Sequence, residues 1–570
     1  MLYRKLAEFY KEASENPSRL KKTEILAKFL GEIHESDKEV LYLLLGDIYP
    51  EYSEKKIGIS SQLAIKAISK SIGTENSEVV REWKKLGDLG LVIEMLKKKK
   101  RQATLGKSDL TTQKVLENFR KLPELEGKGT VEKKLSLIVE LLTSASDIEA
   151  LYLVRTLIGD LRIGLKESTI KEAIASAFFS SDKESAKKIQ DAIDRSNDIV
   201  KVFEMAKRGK LNEIENVSLE IGKPIKVMLA QKAKTIEEGF EAVGKPCAVE
   251  YKYDGFRMLI HKKGDDVILF TRRLENVTKQ FPEVVDYVKK YVGGKSFILD
   301  SEAVGFDKKT KEYKPFQEIS QRIRRKYDIE KLREELPVEV NVFDMIYYEG
   351  KSLLNEPFEK RTALIKKILK DQRYKIIRAK QLITGDEKKA KEFYKQALKD
   401  RQEGVMMKNL GSIYQPGSRV GFMLKIKPAE NDLDLAIVGA EFGAGKRSGW
   451  LSSFILACKD EKSGKFLEIG KVGTGIKELA ESEGTSFEEL TKMIKPLIEK
   501  EDGKSVKIKP KIVVAVTYQE IQRSPTYNSG FALRFPRFTA LRVDKPLSEI
   551  TTLREVEKDY EKQKRNFRYG

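Results

Sequence analysis

The sequence predicts a multidomain protein: an all-α N-terminal region, an α+β middle built on antiparallel sheets, and a small C-terminal β-barrel. Length is the first observation behind this, since 570 residues at roughly 100 to 200 per domain make about three or four units that each bury a core. The second is that residues 1–220 hold only Pro17, Pro50 and Pro123 and space their apolar residues by three and four. The third is a change of period to two after Gly222 and Pro224.

In residues 1–220 the clearest helix opens on the capping box Ser146-Asp147-Ile148-Glu149, runs through Leu151, Tyr152 and Arg155, and stops at Gly159. Another helix is expected from near Glu167. The connection Gly159-Asp160-Leu161-Arg162-Ile163-Gly164-Leu165-Lys166 is either an ordinary helix-helix turn or a loop that aims N–H groups and two basic side chains at phosphates. In residues 221–428, strands are expected at 248–253, 267–271, 297–304, 338–347, 404–408 and 422–427, with helices at about 357–370 and 386–399. These strands follow one another too closely for a helical crossover at each step, so they should pair antiparallel. In residues 429–570, strands at 435–441, 453–458, 466–472, 512–518 and 533–541 with a helix around 487–499 suit a barrel.

Hydrophobic residues make up 40% of the chain and charged residues 35%, and no apolar run approaches the ~18 to 20 residues of a membrane span. The first residues have neither the apolar segment nor the cleavage site of a secretory signal, so a cytoplasmic protein is expected. Cys247 and Cys458 stand apart from any second cysteine or histidine at ligand spacing, which argues against zinc and structural disulfides. Lys plus Arg total 109 against 88 Asp plus Glu, a formal charge of +21. That excess suits a polyanionic partner, and equally the dense surface charge of a thermostable protein. Composition leaves both open.

The most informative segment is Glu250-Tyr251-Lys252-Tyr253-Asp254-Gly255-Phe256-Arg257, where an alternating strand ends in Asp-Gly and can hold a lysine rigidly at its end. It resembles the lysine motif of the covalent nucleotidyltransferases, the group of ATP-dependent DNA ligases, RNA ligases and mRNA capping enzymes. Further matches follow in the family's order. Thr271-Arg272-Arg273-Leu274-Glu275-Asn276-Val277-Thr278 resembles the motif with a phosphate-directed Arg, and Phe297-Ile298-Leu299-Asp300-Ser301-Glu302 the one whose Glu holds the ribose. Phe343-Asp344 is similar to the position that stacks on adenine, and Glu403-Gly404-Val405-Met406-Met407-Lys408 to the second carboxylate motif. Leu424-Lys425-Ile426-Lys427 resembles the paired-lysine motif, and Leu533-Arg534-Phe535-Pro536-Arg537-Phe538 the barrel motif that orients pyrophosphate. Lys425 and Lys427, two apart on a strand, share a face and can address one phosphate group.

The basic helical region before the lysine motif, with Arg155 to Lys166, and the approach Lys223-Pro224-Ile225-Lys226-Val227-Met228-Leu229-Ala230 resemble the larger ATP-dependent DNA ligases, archaeal replicative ones best of all. Val227 departs from the Pro that many relatives carry. The resemblance implies three domains: a helical DNA-binding domain at 1–220, an adenylation domain at 221–428 and an OB-fold domain at 429–570. It implies a DNA ligase of replication, repair and recombination that seals nicks in duplex DNA through Lys252-AMP and then a DNA-adenylate.

By the same resemblance, ATP is bound by Glu250, Arg257, Arg272, Glu302, Phe343, Arg419, Lys425, Lys427, Arg534 and Arg537. Glu302 and Glu403 hold Mg²⁺, with Mn²⁺ as a substitute, and Arg155, Arg162 and Lys166 contact DNA. A hinge is expected near Lys427 to Asp432. A sliding clamp is an expected partner through the helical domain, where relatives carry the contact at the place of Gln102-Ala103-Thr104-Leu105. A nucleoid-associated monomer is expected. A free lysine is unprotonated only about once in 10³ to 10⁴ at pH 7, so Arg257, Lys425, Lys427 and a bound cation are expected to disfavour the ammonium of Lys252. An RNA ligase or capping-type guanylyltransferase with a helical extension, and a silent DNA-binding scaffold, are the competing readings.

Overall fold

The structure is a computed structural model that describes all residues except 54, 100–109, 128, 180–182, 326, 429–430, 444–446, 448, 479–483 and 570; the side chains of 317, 324, 431 and 564–569 are also left aside. Packing divides the chain into two units, Met1–Ala67 with Ala103–Pro428, and Ile68–Gln102 with Ala429–Gly570. Residues 68–102, expected with the rest of the helical region, therefore group with the C-terminal strands. One cause is visible inside the second unit, where the Lys504 ammonium lies 3.8 Å from the Trp83 ring centroid.

The N-terminal region is helical because its apolar residues recur at helical spacing, and several of its helices start on a side-chain cap such as Ser18, Thr111 or Asp198. The expected helix is Asp147–Leu157, with the Ser146 N–H donating to Glu149 at 2.8 Å, and the next is Glu167–Phe178. Between them the chain turns through three left-handed residues, Gly159, Arg162 and Gly164.

Two sheets form the middle. The first has the order β1-β11-β10-β2-β9, from Leu229–Lys232 (β1), Cys247–Lys252 (β2), Gln381–Thr384 (β9), Gly404–Asn409 (β10) and Arg419–Ile426 (β11). The second has the order β4-β3-β5-β6-β7, from Phe256–Lys263 (β3), Asp266–Thr271 (β4), Ser296–Gly305 (β5), Val338–Tyr348 (β6) and Lys351–Ser352 (β7), with Ile376–Arg378 (β8) beside β6. Pairing is antiparallel except for β1 with β11 and β6 with β8. Leu259, Phe270, Ile298 and Ile346 of the second sheet share a buried cluster with Val420 and Met423 of the first, so the sheets pack together. The chain passes between them at Tyr253-Asp254-Gly255. A Cβ on Gly255 would lie 2.3 Å from the Ala303 carbonyl oxygen, so β3 can approach β5 this closely only with glycine there.

In the second unit, Asn431–Phe442 (β12) pairs with Leu451–Lys459 (β13) on one edge, and with Ser505–Ile508 (β16) and Val513–Tyr518 (β17) on the other. Phe466–Val472 (β14) extends the sheet beyond β13, and Ile498–Asp502 (β15) pairs with β16. The expected single strand at 533–541 is two. Phe531–Arg534 (β19) pairs with Glu520–Arg523 (β18), and Arg537–Leu541 (β20) pairs with β17. Phe535 in the left-handed region and Pro536, which has no N–H to give a ladder, divide them. The helix expected to 499 ends at Ile494, ahead of Pro496, for the same reason.

Candidate active site

Lys252 is the last residue of β2, and its ladder partner is Gly404, the first of β10. The Glu403 N–H donates to the Lys252 carbonyl at 2.9 Å, so the lysine and the carboxylate before Gly404 are fixed side by side through the backbone. A Cβ on Gly404, whose φ is 144°, would lie 2.1 Å from the Ile426 carbonyl oxygen; glycine is what lets β10 fit between β2 and β11. The side chains then meet, with Lys252 Nζ 2.6 Å and Lys427 Nζ 2.5 Å from Glu403 Oε2. Burial alone would raise the Glu403 carboxyl, yet Lys252 and Lys427 hold it down at about 2.

The second sheet brings Glu302 to the same place. It is opposite Arg257 in the β3–β5 register. Burial pushes its carboxyl up to about 7, opposed by Lys252 and Arg257 and reinforced by Glu403 and Asp300. Lys425, two residues before Lys427, is lowered by burial and then by Lys252, Arg419, Lys427 and Arg272, which puts those cations around it. Arg272 and Arg419 are exposed. The Arg419 guanidinium donates to the Ala230 carbonyl at 3.2 Å. Arg272 stands in a turn closed by the Leu274 N–H to the Thr271 carbonyl at 2.9 Å, with Leu274 left-handed.

Arg257 differs from its expected part in a free basic cluster. Its Nε donates to Asp300 at 2.7 Å, a second nitrogen pairs with the other Asp300 oxygen, and Nη1 donates to the Met228 carbonyl at 2.7 Å. Tyr414 donates to Asp300 at 2.8 Å. Burial would weaken the guanidinium's hold on its proton, but Asp300 raises it well above the ordinary value. Its charge is therefore already balanced. Among the described residues the charged group that pairs with Lys252 is the Glu403 carboxylate, beside the cations expected around this lysine.

Phe343 lies at a bulge in β6, where the register slips between Asp300 and Ser301 of β5. Val342 and Met345 consequently both reach the core of the second sheet although three positions apart, and Phe343 is re-aimed away from it. The Arg257 and Lys408 cations lie 5.3 and 4.6 Å from the Phe343 centroid. Neighbouring Asp344 is buried and receives Arg361 through hydrogen bonds of 2.7 and 3.0 Å. Glu250, on the Lys252 face of β2, is 3% exposed; Lys408 Nζ is 2.5 Å from Oε2, and Gln381 donates to Oε1 at 2.8 Å.

The structure thus gathers Lys252, Glu250, Arg257, Glu302, Phe343, Glu403, Lys425 and Lys427 where the two sheets meet. Asp300, Tyr414, Gln381 and Lys408 join them without having been singled out. Lys408 had a usable signal, since a lysine that directly follows the apolar run Val405-Met406-Met407 on the same strand needs a counter-charge if it is buried. Arg534 and Arg537 belong to the second unit: Arg534 pairs with Glu520 at 3.0 Å and Arg537 is exposed. In the helical region Arg155 is buried over Tyr152, Arg162 turns to Asp160 at 2.7 Å, and Lys166 is exposed. Arg155 is the most buried of these three, at 8% exposed. Residues 102–105 lie outside the described residues, as do 429–430 of the expected hinge. Among the described residues no group of three or more His, Cys, Asp or Glu is placed to hold a metal, and no helix is long and apolar enough to cross a membrane.

Three family descriptions match the chain: DNA ligase N terminus over residues 2–175, ATP dependent DNA ligase domain over 227–427, and ATP dependent DNA ligase C terminal region over 447–545. The chain is 45% identical over 565 residues to a DNA ligase of Nanoarchaeum equitans, covering 99% of each chain. It is 40% identical to those of Thermococcus onnurineus, covering 99% of each, and Methanopyrus kandleri, covering 98% of this chain and 99% of that one. A solved structure described as Pmar-Lig_Pre. shares the fold, with a TM-score of 0.58 at 19% identity over 94% of this chain and 99% of that one. With matches along nearly its whole length, the chain belongs to the ATP-dependent DNA ligase family.

Proposed function

We propose that Lys252 is the residue on which this ligase stores AMP between ATP and a nick in duplex DNA. The observation that carries the reading is the position of Lys252, locked at a strand end between two carboxylates, Glu302 and Glu403, and a cluster of cations around Lys425. The family's general mechanism then runs in three transfers. The Lys252 amine attacks the α-phosphorus of ATP, forming a P–N bond and releasing pyrophosphate and a proton. The 5′-phosphate at the nick takes the AMP, and the adjoining 3′-hydroxyl displaces it to close the phosphodiester. Each transfer rests on positioning and charge neutralisation, for which Lys425, Lys427, Arg419 and Arg272 are the available cations.

Glu302 and Glu403 suit a hard divalent cation, Mg²⁺ or Mn²⁺, that takes its other ligands from phosphate oxygens and water. Bound there, it would supply Lewis-acid neutralisation of phosphate charge. Phe343 would stack on the adenine, and Arg257, fixed by Asp300, Tyr414 and the Met228 carbonyl, would have one Nη1 hydrogen left for the nucleotide. The roles of Arg534 and Arg537 toward the triphosphate, of Arg155, Arg162 and Lys166 toward DNA, and of a sliding clamp rest on the sequence resemblance. So does the division into 1–220, 221–428 and 429–570.

The test is the intact mass of the protein after incubation with ATP, followed by peptide mapping. A gain of one AMP on the peptide carrying Lys252, and a loss of labelling and nick sealing of at least about 10⁴-fold in Lys252→Ala, are the expected results. Label on another peptide, or nick sealing at the parental rate by Lys252→Ala, would refute the assignment.

A further inference from the structure

Lys408 has no place in the transfers above, yet it forms a buried pair with Glu250, which the family resemblance assigns to the nucleotide. The pair is built from three neighbouring strands: Glu250 on β2, Gln381 directly opposite on β9, and Lys408 on β10. Both charged residues are almost fully buried, Glu250 3% and Lys408 5% exposed. Each Glu250 oxygen has one partner, Lys408 at 2.5 Å and Gln381 at 2.8 Å. The Lys408 ammonium is further fixed between two rings, 4.6 Å from the centroid of Phe343 and 4.7 Å from that of Phe358.

We infer that Lys408 and Gln381 are positioning residues that set the purine specificity of the nucleotide site, by keeping Glu250 an acceptor-only group held in one orientation. An ionised carboxylate accepts hydrogen bonds and donates none, and two partners leave about one lone pair on each oxygen. Such a group suits the 6-amino group of adenine, which donates. It repels the 6-oxo group of hypoxanthine or guanine, which would face it lone pair to lone pair. Without the Lys408 cation, a carboxylate buried this deeply is better accommodated as the neutral acid. The neutral acid carries an O–H that can donate to a 6-oxo group, so selectivity would relax. Lys408 also sits against Phe343, so the stacking platform and the edge reader are set by one side chain.

The inference rests on the reading of Lys252 as the adenylate carrier, and the experiment separates the two. Single-turnover labelling of Lys252 is measured with ATP and with inosine triphosphate, which differs at purine position 6 and its ring neighbour, in the parent, Lys408→Met, Lys408→Arg and Gln381→Leu. The parent should favour ATP by at least about 10²-fold. Lys408→Met should lose about tenfold or more of that preference, chiefly through a higher KM for ATP. Lys408→Arg should keep most of it, and Gln381→Leu should lose a smaller share. A purely structural pair would change yield and Tm but leave the nucleotide ratio alone, so a parental ratio in folded Lys408→Met overturns the inference. If Lys408→Met does not fold, a parental ratio in Gln381→Leu does so instead. Absence of label from Lys252 in the parent would remove the underlying reading, and this one with it.

Discussion

At the deep end of the site each charge has a fixed partner, with Arg257 on Asp300, Arg361 on Asp344 and Lys408 on Glu250. At the reactive end, Glu403 serves Lys252 and Lys427 at once, Glu302 has two like-charged carboxylates among its neighbours, and Lys425 crowds four further cations. Of the deep charges, Arg361 and Asp300 are 0% exposed and Glu250 and Lys408 3% and 5%, with only the Arg257 side chain reaching 15%. The side chains of Lys252 and Lys427 keep 22% and 23% of their exposure. The difference separates what is preorganised from what the reactants complete. A buried one-to-one pair contributes geometry and is costly to break, whereas an unbalanced, partly wet cluster is open to phosphate and metal.

Breaking one pair at each end tests that comparison. Arg361→Met should have the larger effect on folding, about 3–5 kcal/mol in urea unfolding, because it leaves Asp344 charged, buried and without its cation. A loss near that of a surface pair would show the deep end to be less rigid than its geometry. Glu403→Gln should cost less, about 1–3 kcal/mol of stability, since both lysines are partly exposed and can turn to water when the carboxylate is removed. Its effect belongs in chemistry, with Lys252 adenylylation slowed by about 10²-fold in single-turnover labelling. Equal losses of stability from the two variants would abolish the distinction between the ends.

The same contrast governs what the sequence discloses. Lys252, Glu302, Glu403, Lys425 and Lys427 were legible because each stands in a short contiguous motif that resembles the family's, so local order along the chain names them. The partners at the deep end were not. Glu250 and Gln381 are 131 residues apart in the chain, and Arg257 and Tyr414 are 157 apart; only sheet order joins them. β3 escaped notice because Arg257 and the fully buried His261 interrupt its apolar pattern. Its reason to be tolerated is tertiary: Nδ1 of His261 accepts the Gly222 N–H at 3.2 Å, and burial holds the ring neutral with a pKa of about 3. The break at Phe535-Pro536 was readable in principle, since proline cannot continue a ladder through its own position. The bulge that re-aims Phe343 leaves no local signature, because two adjacent residues facing one way look like any lapse of alternation.

The smallest expected effect distinguishes the two carboxylates of the reactive end by the sign of their pH dependence. Glu302 is raised from 4.5 to about 7, so between those values the unfolded chain has lost a proton that the folded chain keeps. Its contribution to stability is complete below about pH 4.5 and is lost as pH rises through 7. Glu403, lowered from 4.5 to about 2, contributes above 4.5 and loses that contribution as pH falls toward 2. The windows do not overlap, so urea midpoints taken from pH 5 to 7.5 isolate Glu302. Over that range the midpoint of Glu302→Gln should decline less with pH than that of the parent, while Glu403→Gln should keep most of the parental slope, losing only the share that the Glu403 charge adds to holding Glu302 protonated. Metal binding needs the ionised carboxylate, so apparent Mg²⁺ affinity in single-turnover labelling should climb with pH until about 7 and then level off. Parallel slopes in Glu302→Gln and the parent would mean that the Glu302 carboxyl is solvated, not held between the sheets, and the asymmetry of the site would then rest on Glu403 alone.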